Sequence, residues 1–366
     1  QTNGCRPQAC PPEALFPFYL STAAHCALWC AQLEKPTWEN RAKALQCVQH
    51  GLPETLQLND IAVPEPGKNQ VRIKVHAAGV NFPDVLIIQN LYQFKPPLPF
   101  SPGGEAAGVV DAVGEGITDL KVGDRVIAMI GNGAMAEYLI ANRPQVIPMA
   151  DDMPFDVASG FTMTYGTSHH ALKQRANLQP GETVLVLGAS GGVGLTAVEL
   201  AKVMGAKVIA AASTDEKLAL CKQYGADEVV NYSNDGWRDE IKRMTGGKGV
   251  DVVYDPVGDK YAEPAFRSIA WNGRYLVVGF AGGQIPSLPL NLPLIKGASI
   301  VGVFWGAFTA ANPKLHQENM AELLRWYSEG KLKPHISKHF TLAKGAEAIR
   351  YLMDRKATGK VVINVA

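Results

Sequence analysis

The sequence has almost no net charge, no long apolar run and only one cysteine beyond Cys47. Lysine and arginine total 35 against 34 aspartates and glutamates, and no basic block stands out. Such a balance gives no electrostatic footprint for nucleic acid. No apolar segment approaches the length of a bilayer span, so we expect a soluble protein. Nucleic acid and membrane are therefore excluded from the predicted partners.

The length of 366 residues suits two domains, each large enough to bury its own core. Residues 1–41 differ from the rest, because prolines and scattered cysteines occur there without a sustained helical or strand period. The favoured interpretation is a poorly ordered extension, and a secretory or organelle-targeting segment is an alternative. A zinc site is another alternative, with candidate ligands Cys5, Cys10, Cys26 and Cys30. Their spacing lacks the close pairs of structural zinc sites. The first residue is Gln rather than Met, which indicates a fragment or a processed form.

The most informative stretch runs from Val184 to Gly194 and reads VLVLGASGGVG. An apolar run stops at Gly188, and apolar residues then recur at helical spacing, which predicts a strand, a tight turn and a helix. Glycine suits such a turn because a Cβ would block both the bend and the approach of a pyrophosphate. The first N–H groups of the helix would point at the phosphates. This stretch predicts a dinucleotide-binding site.

The rest of the chain shows two different sequence patterns. Up to about residue 160, short alternating strands and glycine turns predict a mostly β module. From about Phe161, apolar strands alternate with helical segments, which predicts a doubly wound parallel sheet and hence an α/β fold. The predicted strands are Val184–Leu187, Lys207–Ala211, Glu228–Val230, Val250–Tyr254 and Arg274–Gly279. A further strand, Ser299–Phe304, would lie at a sheet edge, where unpaired backbone groups favour pairing with a second copy.

Three motifs outside the glycine turn carry a resemblance to a known family. They are Gly79–Asp84 (GVNFPD), Pro97–Glu105 (PLPFSPGGE) and the closing Thr358-Gly359-Lys360. Together with the turn, they resemble the zinc-independent quinone oxidoreductase branch of the medium-chain dehydrogenase/reductase superfamily.

The resemblance covers the chain from about residue 42 to 366 and implies its domain organisation. A doubly wound parallel Rossmann domain is expected at residues 166–308. A GroES-like, mostly β catalytic domain is expected to combine residues 42–165 with residues 309–366. Residues 1–41 remain as the extension.

The zinc enzymes of this superfamily carry a cysteine where this chain has Asn81 and a histidine where it has Gly104. Neither residue supplies the thiolate or imidazole of a tetrahedral zinc site. The segment from Ile127 to Leu139 contains no cysteine, so the structural zinc lobe of the family is also missing. We therefore predict no metal and expect hydride transfer in a shaped, dry pocket. Asn81 and Tyr92 are the predicted catalytic residues, and either of them or an ordered water would stabilise a substrate oxygen.

NADPH is the predicted cofactor. The second strand of the dinucleotide fold ends at Ser213 without the acid that binds a free ribose 2′-hydroxyl. Asp215 and Glu216 follow at the start of the next helix, where we expect them to act as N-terminal helix charges. The resemblance places Ser213, Lys217 and Tyr232 around a 2′-phosphate. The alternative makes Lys217 a solvated helix residue and Tyr232 a loop aromatic.

The resemblance assigns further residues to the cofactor. The pyrophosphate is assigned to Ser190, Gly191, Gly192 and Val193. The ribose and nicotinamide are assigned to Thr167, Val278, Gly279, Phe280, Val303, Phe304 and Trp305. Ordinary core packing is the alternative for Tyr92, Phe82 and Trp305, and His169 and His170 are interpreted as structural. One departure from the branch is Leu86, which stands where a tyrosine is common.

These features predict a zinc-independent, NADPH-dependent oxidoreductase that transfers hydride to a quinone or a conjugated enone. An alternative enzyme is an enoyl or 2-alkenal reductase, including one acting on an acyl-CoA thioester. A different class is an NADPH-binding crystallin-like or redox-sensing protein with little turnover, because fold and cofactor do not fix chemistry. We expect a homodimer, located in the cytoplasm, or in mitochondria if residues 1–41 contain a targeting segment.

Overall fold

A computed structural model of the chain describes residues 40–365, and from Ala42 onward these form one compact unit. The four-cysteine zinc alternative and the predicted extension up to residue 39 lie outside the described residues. The first two strands, β1 (Arg41–Gln46) and β2 (Gln57–Ala62), pair with each other in a small sheet. Two larger sheets carry the rest of the fold.

The first large sheet has seven strands and is mainly antiparallel. Its strands are β3 (Gln70–Val80), β4 (Glu105–Val113), β5 (Arg125–Met129), β6 (Tyr138–Asn142), β7 (Val146–Pro148), β14 (Ile336–Thr341) and β15 (Lys360–Asn364). The order is β14-β15-β3-β4-β5-β7, and β6 also pairs with β3. Alternate residues of β3 such as Val71, Ile73 and Val75 are fully buried, as the period of a half-buried strand requires. Because β15 pairs with β3, the last strand completes the sheet that the early strands begin.

The second large sheet has six strands, all parallel to their neighbours. Its strands are β8 (Thr183–Val186), β9 (Lys207–Ala212), β10 (Glu228–Asn231), β11 (Val250–Asp255), β12 (Ile269–Val277) and β13 (Ser299–Gly302). The order β10-β9-β8-β11-β12-β13 confirms the doubly wound parallel sheet and the edge position of its last strand.

The helices connect the strands and cover the sheets. Within residues 40–365 they are α1 (Phe82–Ile87), α2 (Phe155–Ser159), α3 (Thr162–His170), α4 (Gly192–Val203), α5 (Asp215–Gln223), α6 (Trp237–Met244), α7 (Ala262–Arg267), α8 (Asn291–Lys296), α9 (Trp305–Ala311), α10 (Pro313–Ser328) and α11 (Gly345–Met353). A π-helical turn, Ala171–Arg175, extends α3. No helix in this part of the chain is long and apolar enough to cross a membrane.

The largest core lies on one face of the parallel sheet and joins it to the helices around the turn. It contains Val184 of β8, Tyr165 of α3 and Leu195 of α4, together with Met320 and Leu323 of α10. Helix α10 therefore shares this core and packs on α3, although the predicted boundary at residue 309 assigns α10 to the β domain. The domain boundaries stay a prediction.

Four strands, β2, β6, β7 and β14, were missed from the sequence. Strand β2 lies between β1 and β3, and strand β14 lies between α10 and α11. Strands β2 and β14 carry polar residues and are largely exposed or half-exposed, with Lys338 and His339 open to solvent in β14. Their apolar alternation is therefore too weak to indicate a strand.

Candidate active site

The glycine-rich turn joins β8 to α4, as the sequence predicts. Gly188 has a φ of +55°, and a Cβ on Gly194 would collide with the carbonyl oxygen of Gly188. The N-cap of α4 is Gly191, which provides no side-chain cap. The first-turn N–H groups of α4 therefore lack a capping side chain and fit a pyrophosphate. Ser190 is buried here, whereas Gly192 and Val193 are half-buried.

A buried hydroxyl cluster fixes α3 beneath this turn. The Ser168 hydroxyl lies 2.9 Å from the hydroxyls of both Thr196 and Tyr254. The Thr196 hydroxyl also donates to the carbonyl oxygen of Val193 at 3.0 Å, in the first turn of α4. Thr167, which precedes Ser168, is half-buried on the helix held in this way.

Most residues assigned to the ribose and nicotinamide lie at the carboxyl edge of the parallel sheet. Val278, Gly279 and Phe280 directly follow β12, and Val303 and Phe304 directly follow β13. Since β12 and β13 are parallel neighbours, these residues share the edge at which the glycine turn ends β8. The Phe304 side chain is 56% exposed. The structure thus brings these residues to the side of the sheet where dinucleotides bind.

Trp305, the last of the assigned residues, has the environment of a core side chain. Its ring packs against Gly166 of α3, where a Cβ would lie 2.6 Å from Cζ2 of the tryptophan. The ring of His316 meets it edge-on at 5.5 Å, and Trp305 is 5% exposed. Its assignment to the cofactor stays a prediction.

The three residues assigned to a 2′-phosphate lie at the carboxyl ends of β9 and β10. Ser213 follows β9, and the Tyr232 N–H donates to the carbonyl oxygen of Ala212 at 3.1 Å. Lys217 lies in the first turn of α5, where its Nζ donates to the carbonyl oxygen of Arg355 at 3.3 Å. Burial raises the pKa of Tyr232 to about 12, so its hydroxyl is a neutral donor at physiological pH.

Arg355 was missed from the sequence. It follows α11, is exposed and has a φ of +58°. Its Nη2 donates to the carbonyl oxygen of Gly282 at 2.5 Å, and its charge acts to lower the pKa of Tyr232. The loop after α11 thereby contacts Lys217, which lies 138 residues earlier, through the Arg355 backbone. The predicted acids Asp215 and Glu216 occupy the first turn of α5, as expected.

A buried charged network surrounds Asn81. The Lys360 Nζ donates to Glu105 Oε1 at 2.8 Å, to Asn81 Oδ1 at 2.7 Å and to the Val80 carbonyl oxygen at 3.1 Å. The Asn81 Nδ2 donates to the same Glu105 oxygen at 2.9 Å. Glu105 is 0% exposed and Lys360 is 5% exposed. Lys360 and Glu105 were not assigned to the site from the sequence, although both lie in the motifs that carry the resemblance.

This network determines which way the Asn81 amide faces. An ammonium group only donates and a carboxylate only accepts, so the amide oxygen faces Lys360 and the amide nitrogen faces Glu105. Glu105 takes one amide hydrogen. The nearest acceptor for the other is the Gly79 carbonyl oxygen, 3.5 Å from the nitrogen, which is long for a hydrogen bond. That second hydrogen is therefore only weakly bonded.

Asp84 and Tyr92 lie beside this network. The Asp84 carboxylate accepts the N–H of Asn81 at 2.8 Å and the N–H of Gly103 at 3.1 Å. Burial raises its pKa to about 6. Tyr92 is half-buried, and burial together with the charge of Asp84 raises its pKa. Tyr92 therefore adds a neutral hydroxyl that lies within electrostatic range of Asp84.

The two positions that the resemblance links to zinc hold other contacts. The Asn81 amide is bound to Lys360 and Glu105. A Cβ on Gly104 would lie 3.1 Å from Cε of Met163, which occupies the adjoining space. In the part of the chain that the structure covers, no group of three or more His, Cys, Asp or Glu side chains could hold a metal ion.

Two family models match the chain. One, described as alcohol dehydrogenase GroES-like domain, matches residues 67–151, and the other, described as zinc-binding dehydrogenase, matches residues 192–329. A quinone oxidoreductase-like protein 2 homolog from Nematostella vectensis is 40% identical over 359 residues, which covers 97% of this chain and 98% of the relative.

Solved structures resemble the chain over nearly the same length. A mycobacterial protein in complex with NADPH is 32% identical, with a TM-score of 0.83. A quinone oxidoreductase from Pseudomonas syringae has the same identity, 32%, and the same TM-score, 0.83. In both cases 88% of this chain and 100% of the other chain are covered.

Proposed function

The chain belongs to the medium-chain dehydrogenase/reductase superfamily of oxidoreductases, and from this premise we propose that it is a zinc-independent enzyme that uses NADPH to reduce a quinone or a conjugated enone. The proposal combines a nicotinamide cofactor, which the family uses, with two finer statements about cofactor choice and substrate class.

The observation that carries the proposal is the cationic rim at the carboxyl end of β9. No acid follows this strand at Ser213 to bind a free 2′-hydroxyl. Lys217 donates to the carbonyl oxygen of Arg355, and Arg355 donates to that of Gly282, so neither bond pairs the cation with a carboxylate. A 2′-phosphate would accept charge-assisted hydrogen bonds from such a rim. This arrangement supports NADPH over NADH.

The segment after α1 supports an apolar, planar substrate. Leu91, Phe94 and Leu98 are 66%, 51% and 41% exposed on either side of Tyr92. Exposed apolar side chains beside a few polar groups are typical of a small-molecule site. Tyr92 and the second amide hydrogen of Asn81 are the donors available there for a carbonyl oxygen.

The reaction balances as a two-electron reduction. Bound NADPH supplies the hydride and is oxidised, the quinone is reduced, and one proton from solvent completes the hydroquinone. Asn81 and Tyr92 would donate hydrogen bonds to the oxygen on which negative charge develops. The apolar side chains would keep water away from that oxygen.

A substrate panel tests the proposal. NADPH oxidation would be followed with ortho- and para-quinones, conjugated enones, 2-alkenals and enoyl-CoA thioesters, with NADH as the matched cofactor. We expect turnover with quinones or enones and a preference for NADPH. Turnover with enoyl-CoA thioesters or 2-alkenals alone would show that these compounds, and not quinones or enones, are the substrate class. Tight NADPH binding without turnover on any compound would instead indicate a binding protein.

We also propose a homodimer formed through the β13 edge. Strand β13 ends the parallel sheet, and Ile300 on it is 42% exposed. Leu290, Leu294 and Ile295, which shortly precede β13, are 63–79% exposed. The ring of Trp271, 71% exposed, lies 3.4 Å from where a Cβ on Gly297 would stand. A patch of this kind beside an open strand edge favours association. Light scattering should give twice the chain mass at micromolar concentration, and Ile300→Lys should give the monomer. A wild-type monomer would contradict the proposal.

A further inference from the structure

Two residues near the end of the chain contact both halves of the site. The Gly359 N–H donates to the carbonyl oxygen of Ser190 at 2.7 Å, and Gly359 forms a parallel bridge with Gly191. The next residue is Lys360, whose Nζ holds Asn81 and Glu105. One peptide unit thus separates the pyrophosphate turn from the network that orients the Asn81 amide.

The backbone at Gly359 has little freedom to change. Its φ is +59°, and a Cβ there would lie 2.5 Å from the carbonyl oxygen of His335. The same carbonyl accepts the Lys360 N–H at 2.8 Å. A Cβ on Gly192 would lie 3.4 Å from the Gly359 carbonyl oxygen and 3.6 Å from Cδ of Lys360. Residues 359–360 therefore pack directly against the N-terminus of α4.

A third contact joins helix α3 to the same network. The N–H of Met163, at the start of α3, donates to the second carboxylate oxygen of Glu105 at 2.9 Å. Helix α3 carries Thr167 and lies on the hydroxyl cluster beneath the turn. Glu105 is fully buried, so its two oxygens hold Lys360 and Asn81 on one side and α3 on the other.

We propose that Lys360 is a positioning residue that couples the cofactor turn to the Asn81 amide, because its side chain holds the amide and its backbone is joined to the turn through Gly359. Its ammonium group fixes the amide orientation, and its backbone segment fixes Ser190 and the start of α4. The inference rests on the proposed function only for its turnover readout, because the effect on cofactor affinity needs no substrate.

The test uses Lys360→Met combined with Glu105→Gln, which removes both buried charges together. The matched control is Lys338→Met, the same chemical change at an exposed lysine of the neighbouring strand β14. NADPH affinity would be measured by fluorescence titration, and kcat and KM with menadione. The double variant should bind NADPH about tenfold more weakly and lose on the order of tenfold in kcat, with KM changed less than about threefold. Lys360→Arg keeps a cation beside Glu105 and should restore part of both losses.

Wild-type affinity and wild-type kcat in a double variant with an unchanged melting temperature would overturn the proposal. Loss of kcat with unchanged NADPH affinity would also overturn it, because the cofactor turn would then be independent of Lys360. If the wild-type protein reduces no menadione, the proposed function fails for that substrate, and the NADPH titrations still decide the role of Lys360.

If the double variant does not fold, hydrogen exchange of the wild-type protein decides the same point. Saturating NADPH should slow exchange in peptides covering residues 358–362 and in the strand start at residues 105–108, which is buried away from solvent. Slowing confined to the turn at residues 188–194 would contradict the coupling.

Discussion

The two ends of the site handle charge in opposite ways. Around Asn81, the charges of Lys360 and Glu105 are buried and bonded to each other. Around Ser213, the cations of Lys217 and Arg355 donate to neutral backbone carbonyls. A buried pair is costly to disturb, whereas a cation bonded only to a carbonyl can turn to an arriving anion. The comparison teaches that one end holds a fixed geometry, whereas the cations at the other end are free to bond to a charged group.

The largest effect should come from breaking the buried pair. Lys360→Met leaves the Glu105 carboxylate buried without its cation, and we expect the free energy of unfolding to fall by about 3–5 kcal/mol. Urea denaturation measures this. The exposed control Lys338→Met should change stability by less than about 1 kcal/mol. Equal losses in the two variants would remove the distinction between buried and exposed charge.

A pH experiment on Asp84 sharpens the description of the buried end. Its pKa is raised from 3.8 to about 6, so the folded protein holds this proton more tightly than the unfolded chain. Its contribution to stability is therefore present at low pH and is lost as the pH rises from about 4 to about 6, a change of roughly 3 kcal/mol.

Asp84→Asn lacks this titration and is the matched comparison. The unfolding free energy of the wild type minus that of the variant should fall by roughly 3 kcal/mol between pH 4 and pH 7. Urea denaturation at several pH values provides the measurement. A difference that stays constant over this range would show that Asp84 keeps an ordinary pKa.

At the exposed end, the expected effect is on cofactor choice and not on stability. Lys217→Ala should weaken NADPH by about 1.5–3 kcal/mol, on the order of ten- to a hundredfold, and leave NADH nearly unchanged. Added salt should narrow the difference between the cofactors, because part of the attraction is screened.

Ser213→Asp is the converse change, since it places a negative charge where the phosphate is expected and should lower NADPH affinity. Titration of both cofactors into the three proteins measures these effects. Equal weakening of NADH and NADPH by Lys217→Ala would place the phosphate elsewhere, with Tyr232 or Arg355 as the next residues to change.

The last prediction is that removing metal ions has no effect on the protein. Asn81 and Gly104 provide no zinc ligands, so prolonged chelation should leave turnover and melting temperature unchanged. Stoichiometric zinc whose removal abolishes activity would contradict this. Zinc held by the cysteines among residues 1–39 would not contradict this prediction, which concerns positions 81 and 104.

The sequence predicted the fold and the glycine turn because both depend on local patterns. The apolar strand before Gly188 and the helix after it are read directly from neighbouring residues. The partners of Asn81 could not be found in this way, since 255 residues separate Glu105 from Lys360. A usable signal was present, however. Lys360 begins a strand whose next three residues, Val361–Ile363, are fully buried, and Glu105 begins another with Ala106 and Ala107. A lone charge at the start of a buried strand indicates a buried partner.

The contact between Gly104 and Met163 has a consequence for introducing a metal ligand at this position. A Cβ at position 104 already requires the Met163 methyl group to move, and a histidine ring extends further than a Cβ. A histidine at position 104 would therefore have to displace the end of the Met163 side chain. A metal ligand at position 81 would in addition replace the Asn81 amide, to which Lys360 and Glu105 both form hydrogen bonds. A zinc site at positions 81 and 104 would therefore need changes at several surrounding contacts and not one substitution alone.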